Sequence, residues 1–414
     1  MRQITGSARR VIKEVKADYK ACLPETRMHI LFHRPTPWSS SVQCSTKTLA
    51  NIAAEDGHSV TYLQSSINLA HWITGRGYYS TWKEGPRKVN DRIQVTSGLS
   101  VIPDLTSTGL YSNWLAAASY RTSIPSIRKL VQRSGFGEPD LIWTTIPGSS
   151  VLGKIFPKAQ MVFHVIDLYK AFRGKSISKL EAHDYRACNH VFCIGHSLKK
   201  YLVDELEIDE SKITVLGQGV NLNNYRSKVQ EPDDLKEIPR PRALWVGVLD
   251  KLDEGLLAQT SKEIESLGGS VVLIGPKGSR SEEFLRSSDL SNVKNLHVLG
   301  PRNSEEVPAY MQHCDLGLML YDRNRSEVYR GQNPLKLNEY LAADLPVIST
   351  PHDEFQFIEP PVEVVEEERE IEHAVHACLQ SANHGAEARK EFVDARSWNK
   401  IFRVALEIVE ANRS

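Results

Sequence analysis

The chain has 414 residues, too many for one ordinary hydrophobic core and suited to two domains of roughly 150 to 200 residues each. Apolar residues at 41% and charged residues at 25% are ordinary globular values, which exclude disordered and fibrous classes. No apolar stretch approaches the ~20 residues of a membrane-spanning helix, and the first ten residues lack the apolar region of a signal peptide. We therefore expect a cytoplasmic location.

The formal net charge of zero conceals an asymmetry between the two halves. Residues 1–220 hold 28 Lys and Arg against 18 Asp and Glu, so this half carries +10 and the remainder −10. A basic half can face an anionic membrane surface, an anionic acceptor or nucleic acid, and charge alone does not choose among them. No nucleic-acid-binding motif accompanies the charge, so we expect no nucleic-acid partner.

The six cysteines carry little functional signal. They show neither a CxxC pair nor the histidine spacing of a zinc site. This pattern predicts buried thiols rather than a metal site or a disulfide framework. The six residues are Cys22, Cys44, Cys188, Cys193, Cys314 and Cys378.

Residues 1–27 form a basic N-terminal extension with seven Lys or Arg and three acidic residues. Val11, Val15 and Tyr19 recur at helical spacing, which indicates either a solvated helix or an anchor on a membrane surface.

Residues 28–220 predict a first Rossmann-like domain. A buried strand at Met28–Phe32, a helix over about Cys44–Asp56 and a second strand after Gly57 open the pattern. Short apolar strands separated by helices continue it, and parallel neighbours need such crossover helices. Within this domain, residues 68–92 interleave tryptophans and tyrosines with basic residues, a mixture that can form a core loop, line a sugar site or lie at a membrane interface.

A polar, proline-containing stretch at residues 221–242 has few core-forming residues and predicts an interdomain linker. The strand and helix pattern restarts at residues 243–397, which gives a second Rossmann-like domain. Residues 398–414 then predict an amphipathic C-terminal helix.

Residues 333–350 (NPLKLNEYLAADLPVIST) predict a ligand-facing helix followed by a buried strand. We expect Asn333 as N-cap and Pro334 at the first helical position. The helix N-terminus and Lys336 favour an anion such as a diphosphate, and Glu339, three residues further on, can accept hydrogen bonds from ribose hydroxyls. The alternative is a surface salt-bridge pair.

This segment resembles the donor-nucleotide helix of GT-B glycosyltransferases, especially bacterial family 4 and the xanthan glucuronosyltransferase. Residues 295–321 are similar to the strand, helix and strand that lead to a tyrosine near the donor, here Tyr321, and residues 189–219 are similar to the run that ends the first domain. The resemblance implies an α/β GT-B architecture, with two Rossmann-like domains facing each other across a cleft and the C-terminal helix packed back on the first domain. It also implies a nucleoside-diphosphate sugar as donor substrate, with no cofactor and no metal.

The sequence departs from the family at three places. Asp344 stands where the family usually has a glycine after the helix. Family 4 often carries a second carboxylate eight residues before Glu339, where this chain has Gly331, so that carboxylate is missing unless Glu327 or a backbone group replaces it. The glycine-rich turn after the first strand is replaced by residues 34–40, which makes Arg34, Trp38 and Ser39 the acceptor-side candidates.

Asp167 and His164 lie near the end of a predicted buried strand, where open α/β sheets bind ligands. The resemblance makes Asp167 the general base of an inverting transfer. The alternatives are that Asp167 caps a helix starting at Leu168 and that His164 is a core histidine. A retaining mechanism would need no such base, and the sequence leaves the stereochemistry open.

Gly247, Lys251 and Gly275 follow the first two strands of the second domain. Glycines at these turns allow a close backbone approach to phosphates, and Lys251 can reach the same diphosphate. By resemblance, Gly275 lies near the nucleotide base. A purely structural role at the strand ends is the alternative for both glycines.

We therefore expect a glycosyltransferase that extends a cell-surface polysaccharide or lipid-linked saccharide, with its basic domain against the inner membrane face. The alternatives are a nucleotide-sugar epimerase of the same fold and a non-catalytic sugar-nucleotide-binding assembly protein. The donor sugar, nucleotide base, acceptor and oligomeric state stay open.

Overall fold

The computed structural model of the chain describes residues 27–33, 36–40, 44–68, 86–102, 111–278, 290 and 293–413. The predicted helical positions in the basic extension, Arg34, and most of the aromatic stretch 68–92 lie outside these residues.

The first domain is built on an eight-stranded sheet in which each described pair is parallel except the last, antiparallel one. The two strands that open the chain lie side by side, with His29 beside Ser59 and His33 beside Leu63. In spatial order the strands are β11 (Ile213–Val215), β10 (His190–Cys193), β9 (Gln160–Val165), β8 (Leu141–Thr144), β1 (His29–His33), β2 (Ser59–Leu63), β5 (Ile93–Thr96) and β4 (Arg87–Lys88).

A small three-stranded sheet lies beside this one and was not predicted. Its strands are only two residues long, too short for the alternation that marks a strand in a sequence. They are β3 (Ile67–Asn68), β6 (Leu99–Ser100) and β7 (Ser123–Ile124).

The second domain is built on a six-stranded, all-parallel sheet. Its spatial order is β14 (Leu296–Gly300), β13 (Ser270–Ile274), β12 (Arg242–Val246), β15 (Leu316–Met319), β16 (Val347–Ser349) and β17 (Glu363–Val364). This is the doubly wound order, which forms a ligand crevice at the carboxyl ends of the strands where the order reverses, between β12 and β15. The predicted α/β fold is confirmed.

Helices cover both faces of each large sheet, and two apolar clusters per domain fill the layers between them. In the first domain the helices are α1 (Ser45–Glu55), α2 (Asn113–Arg121), α3 (Ile127–Gln132), α4 (Val151–Ile155), α5 (Tyr169–Arg173), α6 (Ser178–Ala187) and α7 (His196–Asp204). From the connecting segment onward they are α8 (Leu222–Arg226), α9 (Asp233–Lys236), α10 (Glu254–Ser266), α11 (Val307–Gln312), α12 (Ser326–Tyr329), α13 (Leu335–Ala342), α14 (Phe355–Ile358), α15 (Ile371–His384), α16 (Ala386–Asp394) and α17 (Trp398–Ala411).

The C-terminal helix α17 lies on the first domain, not on the second domain that precedes it in the chain. Its apolar side chains, including Phe402 and Leu406, belong to the same buried cluster as Ile30 and Leu49. Arg403 forms an ion pair of 2.7 Å with Asp56, just beyond α1. The chain therefore crosses between the domains twice.

The connecting segment 221–242 is not the loosely packed linker that its polarity indicates. Tyr225, Leu235 and Ile238 are buried in the apolar core of the second domain, and Arg242 is already the first residue of β12. The segment has few core-forming residues, as predicted, but three apolar side chains spaced along short helices are enough to dock it on the second domain. The first crossing between the domains lies around Val220, whose backbone pairs with that of the returning chain at Arg396 and Trp398.

Direct hydrogen bonds also join the two domains. The Asn333 amide donates to the carbonyl of Ile194 over 2.8 Å. The carboxylate of Glu354 accepts from the backbone N–H of His196, at 2.7 Å, and lies 2.8 Å from the same residue's Nδ1. Glu354 thus satisfies the N-terminus of α7 from the opposite domain.

Candidate active site

A cavity of about 260 Å³ lies between the two domains, at the carboxyl ends of the first domain's strands. The first domain, the connecting segment, α13 and the start of α17 all contribute to its wall. The lining residues are Thr36, Cys44, Ser45, Thr48, Ile166, Asp167, Gln218, Gly219, Val220, Asn221, Tyr225, Leu335, Glu339 and Trp398.

Asp167 is the carboxylate that the first domain presents to this cavity. It follows the end of β9 by two residues, and its side chain is exposed. It does not cap a helix: Leu168 holds the N-cap position of α5, with no side-chain cap bond. Desolvation beside the cavity wall raises the pKa of Asp167 above the ordinary aspartate value.

His164 does not reach the cavity, and the structure contradicts its candidacy as a catalytic group. The imidazole is fully buried within β9 and packs edge-on against Trp143 at 5.5 Å between ring centroids. Neither ring nitrogen has a hydrogen-bond partner among the described residues, and burial lowers the pKa of His164 to about 4. It is a neutral core histidine, the alternative that the sequence left open.

The donor-side helix α13 starts one residue later than predicted. Pro334 occupies the N-cap position with an extended backbone, and Leu335 is the first helical residue. Asn333 is therefore not the N-cap; its buried amide side chain donates to Ile194 in the other domain instead. The helix N-terminus still lies at the domain interface, because Leu335 lines the cavity.

Glu339 is the carboxylate that α13 presents to the cavity. Its side chain is buried, and the ammonium of Lys336 one turn earlier forms an ion pair with it. Tyr225, from α8, lines the same cavity as Glu339. Because the Lys336 side chain is partly exposed, its ammonium can move from Glu339 to a ligand without leaving a buried position.

Gly247 and Gly275 pack backbone to backbone where β12 and β13 end. Gly275 has φ +148°, and a Cβ added to it would lie 1.9 Å from the carbonyl oxygen of Gly247. Lys251 lies in the adjoining turn with its side chain exposed and no ion pair among the described residues. Because glycine has no side chain, the backbone at this edge of the sheet is not covered by side chains of Gly247 and Gly275. Neither these glycines nor Lys251 line the interdomain cavity.

Tyr321 follows β15 and belongs to an aromatic cluster rather than to the cavity wall. Its ring stacks on Tyr329 at 5.1 Å and meets Trp245 and His352 edge-on. Burial raises the pKa of Tyr321 to about 12, so its hydroxyl stays protonated at neutral pH.

The acceptor-side candidates lie beside the cavity rather than in its wall. Trp38 donates its backbone N–H to Gln64 over 2.6 Å and packs edge-on against Tyr62, while Ser39 is exposed. Thr36, two residues before Trp38, is the member of this turn that lines the cavity. Arg34 lies outside the described residues.

No group of three His, Cys, Asp or Glu side chains among the described residues is arranged to hold a metal ion. Five cysteines are described and all are free thiols. Burial raises the pKa of Cys188, Cys193, Cys314 and Cys378 to about 12, whereas Cys44 is partly exposed at the cavity wall. The prediction of buried thiols is confirmed for Cys188, Cys193, Cys314 and Cys378, whereas Cys44 is only partly buried.

Comparisons with known proteins agree with this geometry. Residues 240–381 match the family described as "Glycosyl transferases group 1". The chain is 25% identical over 302 residues to the putative teichuronic acid biosynthesis glycosyltransferase TuaH of Bacillus subtilis (strain 168), covering 67% of this chain and 74% of that protein.

Solved structures share the whole architecture. A glycosyltransferase from Rickettsia africae superposes with a TM-score of 0.64 at 15% identity, covering 94% of this chain and 99% of that one. HepE of Anabaena, in complex with UDP and glucose, gives a TM-score of 0.63 at 13% identity, covering 93% and 100%. The chain has the GT-B fold of glycosyltransferases, and its second domain matches a glycosyltransferase family. The resemblance of the donor-side helix to that of GT-B glycosyltransferases is thereby confirmed.

Sequence reasoning missed several residues that line the cavity. Tyr225 lies in the segment predicted as a linker, and Thr48 lies on a helix predicted only as a structural cover. Trp398 was expected as the start of a packing helix, yet it lies over Gly219, where an added Cβ would come within 2.4 Å of its ring. The available signal for Tyr225 was that it is a large aromatic side chain, of the kind that is usually buried, within a polar stretch.

Proposed function

We propose that the chain transfers a sugar from a nucleoside-diphosphate sugar to a cell-surface polysaccharide or lipid-linked saccharide, at the cavity between its domains. The observation that carries the proposal is that Asp167 and Glu339, from opposite domains, line the same cavity. TuaH, named for teichuronic acid biosynthesis, and HepE, in complex with UDP and glucose, support the class of acceptor and of donor.

Asp167 acts as the general base of an inverting transfer. It takes the proton of the acceptor hydroxyl while that oxygen bonds to the anomeric carbon, and the bond from this carbon to the diphosphate breaks on the opposite face. Its raised pKa suits this task, because a stronger base accepts the proton more readily.

The second domain holds the leaving group. The N-terminus of α13 and Lys336 stabilise the negative charge that develops on the diphosphate, so the step needs no metal ion. Glu339 accepts hydrogen bonds from the ribose. Gly247, Lys251, Gly275, Asn333 and Tyr321 complete the donor side, with the two glycines leaving room for the nucleotide beside the strand ends.

Gly331 stands where family 4 often has a carboxylate, and a Cβ added to it would face Ser197 of the first domain at 3.8 Å. The donor sugar is therefore held with one protein carboxylate fewer at this position than in those enzymes.

The first domain also offers a surface that suits a peripheral site on the inner membrane face. Val101, Trp114 and Ile124 are strongly exposed around the small sheet and α2, and residues 111–133 hold four basic and no acidic residues. Apolar side chains with a cationic surround fit an anionic bilayer. No described helix is long and apolar enough to cross a membrane. Sedimentation with anionic but not with neutral vesicles would test this part of the proposal.

A thermal-shift screen against UDP, GDP and ADP tests the donor site. We expect one diphosphate to stabilise the protein, by about 2.7 kcal/mol at a hundredfold excess over Kd, and Lys336→Ala and Glu339→Ala to lose the effect. Lys236→Ala is the matched control, since Lys236 forms a similar (i, i+3) pair with Asp233 away from the cavity. An unchanged melting temperature with all three nucleotides at millimolar concentration would contradict the proposal.

A further inference from the structure

Glu354 is a buried carboxylate of the second domain that binds the first domain. Its side chain is 1% exposed. One carboxylate oxygen accepts a hydrogen bond from the backbone N–H of His196 over 2.7 Å, and the other lies 2.8 Å from Nδ1 of the same residue. The His196 ring also stacks on Phe357 of α14, with 4.0 Å between the ring centroids. Neither Glu354 nor His196 takes part in the donor or base chemistry proposed above.

The N-terminus of α7 is shaped to receive this carboxylate. Gly195 holds the N-cap position, and it has no side chain that could accept a hydrogen bond from the first N–H groups of the helix. The Glu354 carboxylate accepts that bond from the other domain, and its negative charge is favoured at the positive end of a helix. A Cβ added to Gly195 would lie 2.9 Å from Oε2 of Glu354. The missing side chain at Gly195 therefore leaves room for Glu354.

On the first domain, this contact lies one strand away from Asp167. His196 follows β10, which pairs with β9 so that Cys193 lies beside Val165. Asp167 follows the end of β9 by two residues. Because both strands are parallel and end at the same edge of the sheet, the place of His196 relative to Asp167 is set by the first domain alone.

On the second domain, Glu354 is tied to the start of the donor-side helix. The backbone N–H of Asp353 donates to the carbonyl of Arg330 over 2.9 Å, and the two side chains form an ion pair of 2.9 Å. Three residues after Arg330, the amide of Asn333 also donates to the first domain. Helix α13 follows and presents Glu339 to the cavity. Whatever holds Glu354 against α7 therefore also holds α13 against the first domain.

We propose that Glu354 is a positioning residue for the transfer: by binding α7 across the domain interface, it fixes the arrangement in which Asp167 and Glu339 line one cavity. Domains joined by crossings of the chain can turn against each other, and the transfer needs groups from both of them. This role rests on the proposed function, because it requires base and donor to come from opposite domains. Glu354 does not line the cavity, so its loss should slow the transfer and leave nucleotide binding by the second domain intact.

The first test compares nucleotide binding with turnover in Glu354→Ala. The binding probes are UDP, GDP and ADP in titration calorimetry. The turnover probes are UDP-glucose, GDP-mannose and ADP-glucose, with release of the nucleotide measured while water serves as acceptor. The Kd of the nucleotide should stay within about twofold of the wild-type value, as expected for a residue outside the donor site. Release should slow about tenfold to a hundredfold, because a displacement of about 1 Å from the reacting geometry can cost that much.

Glu263→Ala is the matched control. Glu263 forms the same kind of pair, 3.0 Å from Nε2 of His376, but both residues belong to helices of the second domain, α10 and α15. This variant loses a glutamate and histidine contact without affecting the domain interface. Its release rate and nucleotide affinity should both stay within about twofold of wild type.

Gly195→Ala tests the same contact from the opposite domain. The backbone there has φ −166°, an extended conformation that any residue adopts, so alanine acts through its Cβ. This Cβ should displace the Glu354 carboxylate and reproduce the slower release without removing a polar group. If both variants act through one contact, then Gly195→Ala combined with Glu354→Ala should be no slower than Glu354→Ala alone.

Small-angle X-ray scattering measures the arrangement of the domains directly. With saturating nucleotide, the radius of gyration of Glu354→Ala should exceed that of wild type, and that of Glu263→Ala should equal it. An unchanged radius of gyration in Glu354→Ala would overturn the inference, with or without turnover of the probes by wild-type protein. Wild-type release by Glu354→Ala, an equal loss in Glu263→Ala, or a loss of nucleotide affinity as large as the loss of rate would do the same. Failure of wild-type protein to bind any of the three nucleotides would instead overturn the proposed function, and this role with it.

Discussion

Two ionisable side chains three residues apart, His164 and Asp167, have opposite environments. His164 lies within β9 and is sealed between Trp143 and neighbouring strands, so burial holds it neutral. Asp167 lies past the strand end, where the chain turns toward the cavity and its carboxylate meets solvent. The end of β9 at Val165 therefore separates a buried core residue from a residue that faces the cavity.

Replacing Asp167 tests both its role as general base and the effect of its charge on the stability of the fold. Asp167→Asn should reduce kcat by about 10²- to 10⁴-fold, the usual contribution of a general base. The melting temperature at pH 7 should stay the same or rise. The pKa of Asp167 is higher in the folded protein than in the unfolded chain. The free energy of unfolding therefore falls as the pH rises from the ordinary aspartate pKa through the folded-state pKa, because the charged carboxylate is less stable in the fold. Asparagine carries no charge and removes this loss.

The measurements are nucleotide release with donor and acceptor, and thermal melts from pH 4 to 8. For wild-type protein, the acid limb of kcat/KM should lie above the ordinary aspartate pKa. Near-normal turnover by Asp167→Asn would show that the reaction needs no base at this position and would favour retention of configuration.

At the scale of elements, the junction of β12 and β13 depends on two glycines. Gly275→Ala would force a Cβ against the Gly247 carbonyl oxygen in a backbone conformation that side chains rarely adopt. Overpacking and backbone strain each cost ~1 to 3 kcal/mol, so we expect a loss of about 3 kcal/mol or more in the free energy of unfolding. Urea denaturation followed by circular dichroism measures it.

Gly153→Ala is the control for this prediction. Gly153 lies in α4 with no strained φ, and its added Cβ would meet its nearest atom, Sδ of Met161, at 3.7 Å. Alanine in a helix is favoured over glycine by about 1 kcal/mol, so this variant should be neutral or slightly more stable. If both variants lost stability equally, the close approach of Gly275 to Gly247 would not be the cause.

The strands and the donor-side helix could be predicted because each is a local pattern. The apolar runs at Leu141–Thr144 and Ser270–Ile274 are buried on both faces of a parallel sheet, and Pro334 restricts where α13 can begin. Each of these patterns can be recognised from a short stretch of sequence alone.

The partners of those elements could not be predicted, because they are set by contacts between distant residues. Asn333 looks like an N-cap in sequence, but its amide finds Ile194, 139 positions away. Glu339 could be chosen from its spacing to Lys336, whereas Tyr225 comes to line the same cavity only once α8 has docked on the second domain.

At the scale of the whole molecule, the two domains are tied through both ends of the second one. The chain enters the second domain through Val220 and returns beside it, where the N–H of Trp398 donates to the Val220 carbonyl over 3.1 Å. Helix α17 then completes the core of the first domain. The hydrophobic core of the first domain is therefore complete only when α17, which follows the second domain in the chain, has packed on it.

This dependence predicts a large effect of a substitution far from the first domain in sequence. Phe402 is fully buried, with its ring 5.8 Å from that of Trp143 and 6.5 Å from that of Phe32, both on first-domain strands. Phe402→Ala should lower the free energy of unfolding by about 3 to 5 kcal/mol, whereas Glu407→Ala, on the exposed face of the same helix, should change it by less than about 0.5 kcal/mol. Hydrogen exchange should locate the lost protection in β1, β8 and α1, because these elements pack under α17. Loss confined to the second domain would mean that α17 stabilises the domain it follows in the chain, and that the first domain does not depend on it.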